Sequence, residues 1–534
     1  MGVDFNLKTF GRESHETPRS DDSPMTDDVE KPAHLTAKYM GTDRDKLEME
    51  ALGKKQMLRR NFGFASMLAF CSTLIATWEI QLVAVQFPLL NGGPAGTIWG
   101  YIILCLGSIS IYASMAEIAS MSPTAGGQYH WVSEFAPPKY QKFLSFTTGW
   151  VTTCAWQCNV MGLCFSSALT VQGLIKLNNP DYETKPWHGT CLTIAIVIFA
   201  VAFNVLLATK LPLVETLVLI LHIAGLFLII VPLWVLSPRN TSKRVWTEFD
   251  NGGGWSSMGT SVLIGIGGQV GTMCGYDCAI HMAEEIQDAS RNLPKAIMSS
   301  VFINAILGFV MTITLVYTAV DIEMILATPT GQPFMEMFFQ CTKHVPTATA
   351  MSVLAVILLI FCAISELAAA SRQVWSFARD GGMPGSRFLS YIPNGWNIPL
   401  PSVVLTVLVT SLISLLNIGS TTALQAISSL TISSMFASYC LSIGCILRKR
   451  LVGEPLPPCR WSLGRFGLLC NLLALGFTLP ILVFLFFPQT AVVDKESMNY
   501  AIVMFGGANI LAGIYYFVRG KNHYVPPVAL MKRD

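Results

Sequence analysis

The sequence predicts an all-α integral membrane protein with about twelve transmembrane helices, and three observations carry that prediction. Hydrophobic residues make up 52% of the 534 and charged residues only 13%, about half the charge of an ordinary soluble domain. Mean hydropathy is +0.51. The charge is also uneven: residues 1–60 hold 11 Lys/Arg and 12 Asp/Glu, 23 of the 68 charges in the chain. Finally, the rest of the chain divides into apolar runs long enough to cross roughly 30 Å of hydrocarbon at about 1.5 Å per residue.

Residues 1–60 are polar and rich in Ser, Thr, Asp and Pro, and read as a disordered cytoplasmic tail. They contain no apolar h-region of the signal-peptide kind, and the stretch from Asp43 to Arg60 suits a short helix before the membrane. Spans are expected near 62–87, 97–120, 143–171, 189–208, 211–236, 257–280, 295–320, 347–371, 401–418, 421–447, 464–487 and 498–518. The expected organisation is a tail over 1–60 and a twelve-helix transporter domain over 61–518, with residues 519–534 as a cytoplasmic C-terminal tail. Within the domain, two repeats cover about 62–236 and 257–447, and extra helices occupy 464–518.

Basic residues in the connections orient the bundle. With the N-terminal tail inside, the inner loops carry Lys139, Lys142, Lys210, Arg291, Lys295, Arg372, Arg379, Arg387, Arg448, Lys449, Arg450, Arg460 and Arg465, 13 against 7 in the outer loops. Both termini are then cytoplasmic. The sequon Asn240-Thr241-Ser242 falls outside, which makes Asn240 a candidate glycosylation site. A formal net charge of +2 with no basic stripe argues against a nucleic-acid partner. Most of the fourteen cysteines, among them Cys71, Cys105, Cys154, Cys158 and Cys164, lie in apolar runs without C-x-x-C and His spacing, so no metal or cofactor is expected.

Span 6 is the most informative segment. Gly265, Gly267, Gly268, Gly271 and Gly275 crowd it, and Tyr276 and Asp277 follow at membrane depth. Each glycine weakens a helix by about 1 kcal/mol, and an intramembrane carboxylate costs at least ~2.5 kcal/mol. A discontinuous helix whose free backbone groups face a solute accounts for both features. Close helix packing through small residues accounts for the glycines alone. Span 1 offers a counterpart in Thr77-Trp78-Glu79, where Glu79 has no evident local partner and reads either as a site carboxylate or as one hydrogen-bonded to a neighbouring helix. Matching interruptions in the two halves of a chain mark an inverted-repeat transporter.

Three further blocks carry a family resemblance. Asn91-Gly92-Gly93-Pro94 leads into span 2, which ends Ala116-Glu117-Ile118-Ala119-Ser120-Met121-Ser122-Pro123-Thr124-Ala125-Gly126-Gly127-Gln128-Tyr129. His281-Met282-Ala283-Glu284-Glu285 continues through Arg291-Asn292-Leu293-Pro294, and Ala378-Arg379-Asp380-Gly381-Gly382-Met383-Pro384 follows span 8. Together these resemble the amino acid–polyamine–organocation superfamily, in particular its fungal amino acid, choline and GABA permeases, over roughly residues 45–520. The resemblance implies a LeuT-type 5+5 inverted repeat with helices 1 and 6 broken. It further implies alternating access and, usually, proton-coupled uptake of an amino acid or related amine.

Carried over by position, the unwound stretches fall near Ala76–Glu79 and Cys274–Asp277. Expected substrate-binding residues are therefore Thr77, Trp78, Glu79, Cys274, Gly275, Tyr276 and Asp277, with Trp156 and Asn159 of span 3. Thr-Trp-Glu replaces the family's usual Gly-rich triplet, and a carboxylate beside an indole suits a cation, with a cation–π contact of ~0.5–2 kcal/mol. Choline, GABA or a polyamine then stands level with an α-amino acid. His222, near the position of a span-5 lysine in proton-coupled relatives, is a candidate for the coupling proton together with Asp277. Its alternative is a neutral histidine hydrogen-bonded within the bundle. Glu117, Pro123, Gly126, Gly127, Glu284 and Glu285 are expected to shape the inner loops and gate. A plasma-membrane location fits uptake. A nutrient sensor of the same fold that binds without transport is the alternative function, and no catalytic spacing supports an enzyme.

Overall fold

The structure, a computed structural model, describes residues 39–532 apart from 394, 395, 420 and 496 and the side chains of 421–429. Most of the expected tail, residues 1–38, lies outside the described residues. From Tyr39 onward the chain is packed against the bundle through α1 (Asp43–Ala51), capped by Thr42. Span 1 comprises α2 (Phe64–Ile75), α3 (Thr77–Ala84) and α4 (Gln86–Leu90). Then come α5 (Gly93–Met121), the short α6 (Gln128–Phe135), α7 (Gln141–Asn178), α8 (Pro186–Leu206) and α9 (Leu211–Leu236). After α10 (Ser242–Thr247), span 6 is divided into α11 (Met258–Gln269), a 3-10 turn over Val270–Met273 and α12 (Cys278–His281).

The second half continues with α13 (Ala289–Thr318), the outer helices α14 (Ile322–Leu326) and α15 (Pro333–Thr342), and α16 (Val345–Arg379). It closes with α17 (Ser386–Leu389), α18 (Leu400–Ser414), α19 (Leu416–Gly419), α20 (Thr421–Val452), α21 (Gly467–Phe484) and α22 (Ala501–Tyr515). Among the described residues, strand-like pairing is limited to two isolated bridges, Phe62 with Ile286 and Asn91 with Asn251.

Among the described residues eleven helices are long and apolar enough to cross a membrane, so the chain is a multi-pass membrane protein. The expected span missing from that set is 257–280, because no continuous helix forms there. α11 ends after twelve residues, Cys274 is extended (φ −105°, ψ 145°) and Gly275 has φ +102°, a conformation that L side chains rarely adopt. Gly265 and Gly268 serve packing instead. A Cβ at Gly265 would lie 2.0 Å from the Asn91 carbonyl oxygen, and one at Gly268 would lie 2.4 Å from Phe87 Cβ. Both readings of the glycines thus apply, at different positions.

Span 1 breaks more sharply than expected. Only Ala76 leaves the helix, with left-handed φ 44° and ψ 46°, and Thr77–Glu79 are helical in α3. α13 packs along α5, and α7 packs along both α16 and α20. Span 1 is 83% buried over its most apolar stretch, against 17% for the last span, so the broken helix is central and the last helix peripheral. Leu213, Leu217, Ile220, Phe227 and Leu228 of α9 are exposed on the outer surface, as a lipid-facing helix requires.

Both ends of the described chain meet on one face, where the Lys532 N–H donates to the Ala51 carbonyl (2.9 Å). Buried ion pairs fasten this face. Arg379 grips Glu284 through two bonds of 2.6 and 2.9 Å, Arg372 holds Glu285 (2.8 Å), and Lys54 holds Asp380 (2.9 Å). Arg450 reaches Glu117 (2.5 Å), and Asp45 accepts the N–H groups of Asp288 and Ala289 at the start of α13 (2.9 and 3.0 Å). Burial alone would raise the Glu284 and Asp45 carboxyls. Arg379 beside the first and Arg60 beside the second bring both below their ordinary values.

Two outcomes follow from this face. Arg379→Ala leaves Glu284 buried and uncompensated and is expected to destabilise the protein by about 3–5 kcal/mol, read by thermal unfolding in detergent. The joint replacement of Arg379 by Met and Glu284 by Leu is expected to lose much less. Because the folded carboxyls titrate below the unfolded value of about 4, their stabilisation is complete above that pH. It is expected to fade as pH falls through the depressed folded values, and a melting series from pH 6 to pH 3 checks this.

Candidate substrate and coupling site

The turn at Gly275 aims Asp277 into the middle of the bundle. The Gly275 N–H donates to the Tyr112 hydroxyl of α5 (3.0 Å), and Asp277 follows two residues later, at the entry to α12. Its Oδ1 accepts from Tyr439 of α20 (2.5 Å). Its Oδ2 accepts from Gln128 Nε2 of α6 (2.6 Å) and Trp156 Nε1 of α7 (3.2 Å). Gln128 is placed by the turn over Pro123–Gly127, in which Gly127 has φ +54°. A single carboxylate therefore ties span 6 to span 3, span 10 and the loop after span 2. Tyr112 packs edge-on to both Tyr276 and Tyr439, centroids 4.8 and 6.0 Å apart, and walls the site with aromatic rings.

His281 stands one turn beyond Asp277, with Nε2 3.5 Å from Oδ2. Its Nδ1 lies 2.9 Å from the Ala125 carbonyl, which can only accept. The proton of a neutral ring must then sit on Nδ1, and the Nε2 lone pair faces a carboxylate. A proton between His281 and Asp277 removes that repulsion.

The residues expected around the span-1 break divide into two groups, because successive positions on a helix point in different directions. The Thr77 hydroxyl lies 3.4 Å from Tyr276 Oη, next to the span-6 break. Trp78 and Glu79 turn towards α9. Glu79 Oε1 lies 2.6 Å from His222 Nδ1, and the Trp78 indole N–H donates to the His222 carbonyl (3.1 Å). Both Glu79 and His222 are buried, so this contact needs a proton between the two groups. Cys274 lies deep in the bundle yet keeps accessible surface, and its Sγ contacts Met435 Sδ (3.5 Å).

Two buried carboxylates near the breaks escaped the sequence reading although the same signal marks them: an acidic residue inside an apolar run. Glu215 of α9 accepts from Thr73 of α2 and Ser365 of α16, both at 2.6 Å, and so joins spans 1, 5 and 8. Glu366 of α16 accepts from Asn159 of α7 (2.7 Å) through Oε1, while Oε2 is buried without a partner. Tyr439, Gln128 and His281 were missed as well, since nothing local in the sequence brings them to Asp277. Around the two breaks stand four buried carboxylates, Glu79, Glu215, Asp277 and Glu366, and among the described residues no Lys or Arg bonds to any of them.

The expected gate residues lie on the face that carries both termini. Glu284 and Glu285 are held by arginines of α16, and Glu117 is held by Arg450 and by the Leu463 N–H (3.0 Å). A Cβ at Gly126 would meet Tyr129 at 2.9 Å, so Gly126 and Gly127 let the turn after Pro123 pass close to its neighbours. Asn240 spends its side-chain amide on the carbonyls of Val316 (2.9 Å) and Ala319 (2.8 Å). A glycan on that nitrogen would have to displace at least one of these bonds.

Known proteins resemble the chain along almost its whole length. A choline transporter of Saccharomyces cerevisiae is 29% identical over 471 residues, covering 88% of this chain and 83% of that protein. An uncharacterized amino-acid permease of Schizosaccharomyces pombe is 30% identical over 497 residues, 90% of each chain. An amino-acid permease of Arabidopsis thaliana is 27% identical over 505 residues, 91% of this chain and 97% of the other. The amino acid permease family as such matches residues 62–508. With its interrupted first and sixth spans and its buried carboxylates, the chain belongs to the amino acid permease family of the amino acid–polyamine–organocation superfamily.

Proposed function

We propose that this permease imports a small amine or amino acid carrying a positive charge, by proton-coupled alternating access. The observation that carries the reading is the four buried carboxylates around the two breaks, to which no Lys or Arg bonds among the described residues. An uncompensated carboxylate in a low-dielectric site is costly, and a cation or a proton is the natural counter-charge. The choline transporter among the relatives fits a cationic solute. Thr77, Cys274, Gly275, Tyr276 and Asp277 contribute the substrate side of the site. The two carboxylate–histidine contacts, Asp277 with His281 and Glu79 with His222, supply places for the coupling proton.

The two halves, about 62–236 and 257–447, are the repeats that rock against each other, with spans 11 and 12 outside them. The paired carboxylates Glu117, Glu284 and Glu285 close the cytoplasmic side. Both chain ends meet on the face that the 13 basic loop residues assign to the cytoplasm, and the plasma membrane is the proposed location.

The test is uptake of labelled choline, GABA, putrescine and the common amino acids in cells lacking their own permeases, at pH 5 and pH 7.5. Saturable uptake of at least one cationic amine, faster at pH 5, is expected. Binding without accumulation would mark a sensor instead, and no binding of any of them would overturn the reading. Asp277→Asn is expected to lower uptake about 10–100-fold with the protein at the surface, the scale of a hydrogen bond to a charged group. His222→Gln is expected to flatten the difference between the two pH values.

A further inference from the structure

We infer that Glu366, positioned by Asn159, is the carboxylate that receives the substrate's cationic nitrogen, an assignment that rests on the cationic-amine reading above. Asp277 is poorly placed for this contact, because both of its oxygens already accept from protein donors: Tyr439, Gln128 and Trp156. Glu215 gives one oxygen to each of two hydroxyls. Glu79, like Glu366, keeps its Oε2 without a partner, but it is 1% exposed and its Oε1 already faces His222, a side chain able to carry the counter-charge. Glu366 is 6% exposed, has one oxygen fixed by the neutral amide of Asn159 and keeps the other free of any partner. A buried carboxylate oxygen with no donor is costly, and an ammonium group relieves it.

The position of the pair relative to the breaks supports the assignment. Asn159 lies three residues beyond Trp156 on α7, so the two share one face about a turn apart, and Trp156 bonds Asp277 beside the span-6 break. Cys362 lies four residues before Glu366 on α16, and its thiol donates to the Leu74 carbonyl (2.6 Å), two residues before the span-1 break at Ala76. The Glu366–Asn159 pair therefore spans the wall between the two interruptions. Asn159 is itself only partly buried despite its depth, so the pair keeps some accessible surface.

Two backbone donors at the breaks are engaged by the protein. The Ala76 N–H goes to the Ser72 carbonyl (3.2 Å), and the Gly275 N–H goes to Tyr112 (3.0 Å). A cation finds a free carboxylate oxygen at Glu366, and the substrate class this favours is an amine or quaternary ammonium.

The test compares labelled choline uptake in cells expressing wild type, Glu366→Gln and Asn159→Ala, with competition by 3,3-dimethyl-1-butanol, the uncharged isostere of choline. Gln keeps an acceptor for Asn159 and removes the charge, so a purely structural role predicts no change in charge preference. We expect wild type to ignore the isostere. Glu366→Gln is expected to raise the choline KM about 10–100-fold and to let the isostere compete. Asn159→Ala should raise KM about threefold to tenfold with charge preference intact, as expected for loss of one hydrogen bond. Unchanged KM and discrimination in Glu366→Gln would overturn the assignment while leaving the transporter reading in place. A wild type that takes up no amine would remove that reading, and this inference with it. Should Glu366→Gln fail to reach the membrane, Glu366→Asp serves: a raised KM with preference kept supports the assignment, and an unchanged KM overturns it.

Discussion

Asp277 is the group on which the rest of the bundle's centre depends. A carboxylate at membrane depth has no water to solvate it, and at the midplane it costs at least ~2.5 kcal/mol unless protein donors stand in. Tyr439, Gln128 and Trp156 do so, each from a different element. Those bonds fix the level of α6 beneath the site, the rotation of α7 and the approach of α20. They are also why span 6 has to be broken. In a continuous helix the peptide groups would bond one another, and the chain would lack the Gly275 turn that swings Asp277 towards its donors.

The two interruptions meet this demand by different means. Span 6 gives up four residues, Cys274 to Asp277, to non-helical backbone, and the freed groups find side-chain partners such as Tyr112. Span 1 gives up one. Ala76 adopts a left-handed conformation that costs an L residue roughly 1–2 kcal/mol, and the helix resumes at once. The Leu74 carbonyl beside this kink is met by the Cys362 thiol, and the Ser72 carbonyl receives the Asn304 amide (3.1 Å). Neighbouring helices thus satisfy what the kink exposes, as irregular backbone in a membrane requires.

How much of this was legible in the sequence depends on the range of the interaction. Apolar run length is local, and it located the spans. The crowding of glycines before Asp277 is local too, and it located the span-6 break. The span-1 break left no such mark, because an alanine carries it and the strain is held by packing from α9, α13 and α16. Side-chain direction within Thr77-Trp78-Glu79 also needed the structure: once these residues are helical, Thr77 faces the site while Trp78 and Glu79 face α9. Partners such as Tyr439 with Asp277, or Asn159 with Glu366, are separated by 162 and 207 residues, and no pattern along the chain pairs them. Glu215 and Glu366 are the instructive misses, for the rule that singled out Glu79 and Asp277 applies to them unchanged.

On the proposed alternating-access reading, the face where the described chain ends meet has to hold closed and still open. It combines buried ion pairs, Arg379 with Glu284, Arg372 with Glu285 and Lys54 with Asp380, with apolar clusters such as Leu58, Ala125 and Trp375. In the closed bundle the attraction within each pair is set against the desolvation of both partners, and the net contribution is near balance. Removing one partner by mutation upsets that balance at large cost. Letting water in does not, because both charges are solvated as they part. An apolar seal of the same area would lose its full burial energy on opening, at about 25 cal/mol per Å². Ion pairs on a gate therefore combine a defined closed register with a small free-energy difference between closed and open. On the proposed reading a transporter visits both states in every cycle and uses that combination, which gives the ion pairs between α16 and the loop after α12 a role beside the apolar contacts there.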